Sequence, residues 1–172
     1  MPRLIVLALL ARIVPIPLLA QQAPVSCGLL QVAELESVIG GKATGAPKGS
    51  SETAGGMTID DCTVVLSEAG VTHPVDVRLA THVGMDGAQA ITFRNQATAS
   101  EPQWKTQGAR LEQATIGNAV CILTGRPSVP SHALCSIPRG DGYLEVDVRG
   151  SVSDLPTLAT VAGLAQKANS RL

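Results

Sequence analysis

Aromatic side chains are nearly missing from this sequence, with one Phe, one Trp and one Tyr in 172 residues. Sugar platforms and single-strand nucleic-acid surfaces depend on stacked rings, so neither is expected. A core must instead be assembled from Val, Leu, Ile and Ala. The apolar share of 45% suffices for a single one. Excess charge is missing too. The formal net charge is −1, and a leader carrying Arg3 and Arg12 would take positive charge away with it. No broad surface for nucleic acid or anionic membrane is expected. The four cysteines contain no Cys-x-x-Cys pair, which argues against a zinc site; no metal or cofactor is expected. The chain also lacks Gly-x-Ser-x-Gly, Ser-x-x-Lys, His-Glu-x-x-His and a phosphate-cradling glycine loop.

The amino terminus has the layout of a targeting segment. Met1-Pro2-Arg3 is a basic start, Leu4–Ala11 is apolar, and Pro15–Ala23 offers cleavage after Ala20 or Ala23. A bilayer-spanning helix needs about 20 mostly apolar residues. Arg12, Pro15 and Pro17 spoil this stretch for that role. Residues 1–23 are therefore expected to be a signal peptide, with no stable transmembrane span once it is removed. Residues 24–172 form one exported domain, periplasmic or extracellular. Four cysteines in an exported chain read as two disulfides. A lipid on Cys27 would leave an odd thiol, and Pro24-Val25-Ser26 is a poor lead-in for it.

Taken in order, Leu35, Val38 and Ile39 share a helix face that Gly40-Gly41 would end. Residues 42–61 are rich in Gly, Ala, Ser and Thr without periodicity and read as a mobile loop. Cys62–Leu66 and Val75–Leu79 read as strands, the second with Asp76 and Arg78 turned outward. Asp86 can cap a helix reaching Ser100, with Ala90, Phe93 and Ala97 on its apolar face. Gly108–Glu112, Ala119–Leu123 and His132–Ile137 are further strands. Gly140-Asp141-Gly142 is a tight turn. Leu144, Val146 and Val148 then alternate with Glu145, Asp147 and Arg149. Ser153 and Asp154 would open a last helix with Pro156 in its first turn. The fold class is α+β: an antiparallel sheet with helices packed on one face, in two strand-pair-plus-helix halves. Cys121 and Cys135 face each other if their hairpin turns near Ser128. A bridge there closes a loop of about 15 residues and is worth roughly 3 kcal/mol.

The run Cys27-Gly28-Leu29-Leu30-Gln31-Val32-Ala33-Glu34-Leu35, with its helix ending in glycine, resembles the opening of secreted or lipid-anchored bacterial proteins of unknown function. Those begin Cys-x-Leu-Leu-Thr-x-x-Glu; Gln31 stands here in place of the Thr. The likeness continues with Cys62 after Asp60-Asp61, with Gly117-Asn118-Ala119-Val120 ahead of a strand, and with a strand–helix finish. It implies export, a Cys27–Cys62 disulfide and a sheet-and-helix domain. It implies no activity.

The expected function is a non-enzymatic module binding a small ligand or an envelope protein, on a concave sheet face or between the halves. The alternative is a hydrolase-like enzyme using His73, His82 or His132 as base. That reading requires the histidines to gather beside a nucleophile or carboxylate. A third reading presents Gly125–Pro130 as an inhibitor-like loop. Trp104 and Tyr143 could border a ligand cleft or a partner interface, but Trp104 is expected to plug the core and Tyr143 to be exposed.

Overall fold

The computed structural model describes residues 24–68, 74–127, 129–151 and 153–172. The expected leader 1–23, His73 and Ser128 lie outside them. The elements are α1 (Ser26–Leu29), α2 (Val32–Ile39), β1 (Lys42–Ala43), β2 (Lys48–Ala54), β3 (Met57–Ser67), β4 (Val75–Val83), α3 (Gly87–Ser100), a 3-10 turn (Pro102–Lys105), β5 (Arg110–Ile116), β6 (Ala119–Gly125), β7 (Ser131–Arg139), β8 (Gly142–Gly150) and α4 (Leu158–Asn169). None of the described helices is long and apolar enough to cross a membrane.

All eight strands join one antiparallel sheet, in the order β1-β3-β4-β8-β7-β6-β5, with β2 also paired to β3. The contact between β4 and β8 unites the two expected halves. Strand alternation sends one set of side chains to each face. Val64, Leu66, Val77, Leu79, Leu144, Val146 and Val148 form the core set, and α1, α2 and α4 pack against it. The last of these buries Val161, Ala162 and Ala165 completely. The expected α+β antiparallel sheet with helices packed on one face is observed for α1, α2 and α4, while α3 lies against the other face, where Arg94 meets Glu145 and Ser136.

Both disulfides are present as expected, Cys27–Cys62 and Cys121–Cys135. The first ties α1 to β3. The second joins directly paired residues of β6 and β7. Two disulfides favour an exported protein, because such bridges persist chiefly in oxidising compartments.

Local chemistry explains the helix ends. Asp86 accepts a hydrogen bond from the Gln89 amide at 3.0 Å, as its capping role required. Gly40 and Gly41 take positive φ after α2, where a side chain would be strained. The expected start of α4 is corrected. Residues 154–156 stay outside the helix, and Thr157 caps it by accepting from the Thr160 amide at 3.2 Å. Pro156 would be tolerated in a first turn, but Thr157 supplies the side-chain cap, so the helix begins after it.

The segment 42–61 is also corrected. It holds β1, β2 and the first part of β3, with β2 and β3 paired from Lys48–Thr63 to Ala54–Met57. β2 is exposed along its whole length. It buries no apolar side chain, so no hydrophobic alternation marks it in the sequence. Its order comes from the backbone ladder to β3 and from side-chain bonds such as Ser50 Oγ to Asp61 at 2.9 Å.

Candidate functional site

The side chains that alternate with the core set lie on the opposite face of the strands. On β8 they are Tyr143, Glu145, Asp147 and Arg149. Strict alternation with Leu144, Val146 and Val148 would by itself turn the charged members towards solvent. Instead Glu145 is 6% and Asp147 1% exposed. β8 is an inner strand between β4 and β7, and α3 meets this set of side chains. A central strand covered on both sides buries both of its alternating sets whatever their polarity.

Close backbone approach allows α3 to reach its place. A Cβ added to Gly87 would lie 1.7 Å from the Gly142 carbonyl oxygen, and one added to Gly142 would lie 1.8 Å from that of His82. Only glycine fits either position. α3 carries no apolar stripe. It presents Ile91 and Asn95 as buried residues and leaves Phe93 75% exposed, which corrects the expected Ala90–Phe93–Ala97 contact face. Its orientation is set by charge. Arg94 forms an ion pair with Glu145 and donates to Ser136 Oγ at 3.0 Å and to Asn95 Oδ1 at 3.1 Å. Arg78 approaches the same carboxylate at 3.7 Å and bonds Asp61 at 3.2 Å.

Burial raises the Glu145 pKa, against the pull of Arg94. Asp147 behaves differently. Burial acts to raise it, but His132 and Arg149 outweigh that effect and hold it below its ordinary value. Arg149 Nε donates to Asp147 at 2.6 Å, and His132 Nδ1 stands 3.3 Å from its other oxygen.

Between the C-terminal part of α3, the 3-10 turn and the β6–β7 hairpin lies a groove of about 510 Å³. Ile122, Thr124 and Leu134 line it from the sheet, Arg94 and Thr98 from α3, and Trp104, Arg126 and His132 complete its wall. Trp104 is therefore a half-buried wall of this groove, not a core plug. Its indole donates to the Thr98 carbonyl at 2.6 Å, which fixes the ring against the helix end. The Arg126 guanidinium lies 5.8 Å from the centre of that ring, within cation–π range. A second cavity of about 590 Å³ separates α3 from β5 and β6. Its lining, including Thr92, Asn95, Gln96 and Gln113, offers neither a charged group nor a ring.

The histidines do not gather. His82 pairs with Tyr143 and His132 with Arg149, six positions apart along β8, or roughly 20 Å. His82 is buried and stacked on Tyr143, with ring centres 4.1 Å apart. Tyr143 is thus covered, which corrects its expected exposure; the ring needs a partner and His82 supplies it. Burial, with Arg78 and Arg94 nearby, lowers the His82 pKa to about 4. Among the described residues no serine hydroxyl or cysteine thiol bonds to either ring. The geometric requirement of the hydrolase reading is not met by these two histidines. Nor do the described residues contain a cluster of metal-ligating side chains. Of the presented loop, Gly125 belongs to β6, while Arg126, Val129 and Pro130 border the groove.

Neither Trp104 nor Arg126 stood out as part of one site in the sequence. They are 22 positions apart and share no motif; the turn after α3 and the disulfide-bridged hairpin bring them together.

No protein-family model and no curated protein matches the chain. Among solved structures it is similar to the extracellular domain of PknH from Mycobacterium tuberculosis, with a TM-score of 0.45 and 14% identity. The match covers 83% of this chain and 94% of that one. So distant a likeness bears on neither ligand nor activity.

Proposed function

We propose that this is an exported, non-enzymatic binding module whose small-ligand site is the groove between α3 and the β6–β7 hairpin. One observation carries this reading. The groove combines apolar side chains (Ile122, Leu134) with a fixed ring and a few convergent polar groups, the usual make-up of a ligand site. Its surroundings are preorganised. Arg94 is anchored on both Glu145 and Ser136, and the Cys121–Cys135 bridge braces the hairpin on the far face. The two disulfides support maturation outside the cytosol, in the periplasm or beyond the cell. Membership of the exported bacterial group that Cys27–Leu35 resembles belongs to the same proposal.

A thermal-shift screen of residues 24–172 against envelope lipids, glycan fragments and small acids tests it. A stabilising compound should lose its effect on Thr98→Phe, which fills the groove from half-buried Thr98 without touching the sheet core. A compound that stabilises that variant as strongly as the native domain would move the site elsewhere.

A further inference from the structure

Arg126 is the unusual group in the groove. The other basic side chains lining the groove have partners: Arg94 is held by Glu145, Asn95 and Ser136, and His132 lies against Asp147. Among the described residues Arg126 has no ion pair, and its guanidinium lies 5.8 Å from the centre of the Trp104 ring. Its Nε is buried and has no hydrogen-bond partner among the described residues. No described carboxylate pairs with it, although Glu101 lines the same groove and is engaged by the Gln103 side chain. A buried donor without an acceptor costs free energy that a ligand oxygen can recover. A guanidinium prefers a planar, charged acceptor, since carboxylate and phosphate match its fork of N–H groups.

Beside this cation the groove offers apolar as well as polar lining. Ile122 and Leu134 form the floor, Val129 and Pro130 the rim, and the Trp104 ring the wall. From these observations we infer that the groove takes a small amphipathic anion. A carboxylate or phosphate head bonds the Arg126 guanidinium, and an apolar body lies along Trp104, Ile122 and Leu134. Thr124, whose side chain also lines the groove, supplies a hydroxyl donor beside the head. This inference rests on the groove being the binding site and adds the chemical class of what enters it.

Trp104 is the single tryptophan of the chain, so its emission reports occupancy directly. The test titrates octanoate, octyl phosphate and uncharged octanamide into residues 24–172. At least one of the anions should change Trp104 emission saturably, and bind roughly tenfold or more tightly than octanamide, as an added charge-assisted hydrogen bond predicts. Which anion wins distinguishes a carboxylate from a phosphate ligand. Arg126→Leu should remove the preference for the anion, and Arg126→Lys should retain part of it. Unchanged melting of both variants excludes misfolding as the cause. Equal affinity for octanoate, octyl phosphate and octanamide would overturn the anion class. If that binding is still abolished by Thr98→Phe, the groove remains the site and only the class fails. Absence of any saturable response to all three probes, or an anion preference surviving Arg126→Leu, overturns the inference outright.

Discussion

Glu145 shows what a single buried charge demands. Its side chain is only 7% exposed, and Arg94 supplies its close ionic partner while Arg78 stands farther off. Removing one member of such a pair leaves an uncompensated charge, whereas removing both leaves apolar contact. Arg94→Met is therefore expected to destabilise the domain by about 3 kcal/mol, and Arg94→Met/Glu145→Met to recover most of that loss. Urea denaturation of both variants checks the pair; a single variant as stable as the native domain would refute it. His82 yields a second expectation. Its folded-state pKa of about 4 lies below the ordinary 6.5. Between these values the unfolded chain binds the extra proton. The stability His82 contributes is thus fully present above pH 6.5 and lost as pH falls towards 4, by up to about 3 kcal/mol. Glu145, with its raised pKa, works in the opposite sense. The comparison with His82→Phe isolates the histidine: the variant keeps the stack on Tyr143 and should gain on the native domain as the solution is acidified. Parallel stability curves from pH 7 to 4 would rule this out.

At the scale of elements, legibility followed burial contrast. β8 and β4 could be read because their core residues alternate strictly with polar ones. β2 could not, because Lys48–Ala54 is exposed throughout and a strand without an apolar face has no pattern to show. α3 was recognisable from its Asp86 cap, but its orientation was not. The face it presents is chosen by Arg94 meeting Glu145, a contact across 51 positions. The disulfides are expected to contribute through the unfolded chain. Cys121–Cys135 separates residues 14 apart and Cys27–Cys62 residues 35 apart. Their replacement by alanine pairs should cost roughly 3 and roughly 4 kcal/mol in the chain-entropy model. Melting of the two double variants tests the order; a larger loss at the shorter bridge would show that native packing, not loop closure, dominates.

Across the whole molecule, the sheet divides two kinds of work. One face holds the apolar core with α1, α2 and α4. The other holds the ion pairs of Glu145 and Asp147, α3 and the groove. The sequence by itself determined the class of the protein: an α+β chain with two disulfides, strands at β4 and β8, and no local catalytic or metal motif. Those properties are local, written in alternation, caps and cysteine positions. Only the tertiary structure decided that Glu145 and Asp147 are buried, that Phe93 faces out, and that Trp104 and Arg126 border one groove. Each of these depends on which distant segment covers a residue. An alternating strand has the same sequence pattern whether its polar side meets water or a helix carrying an arginine.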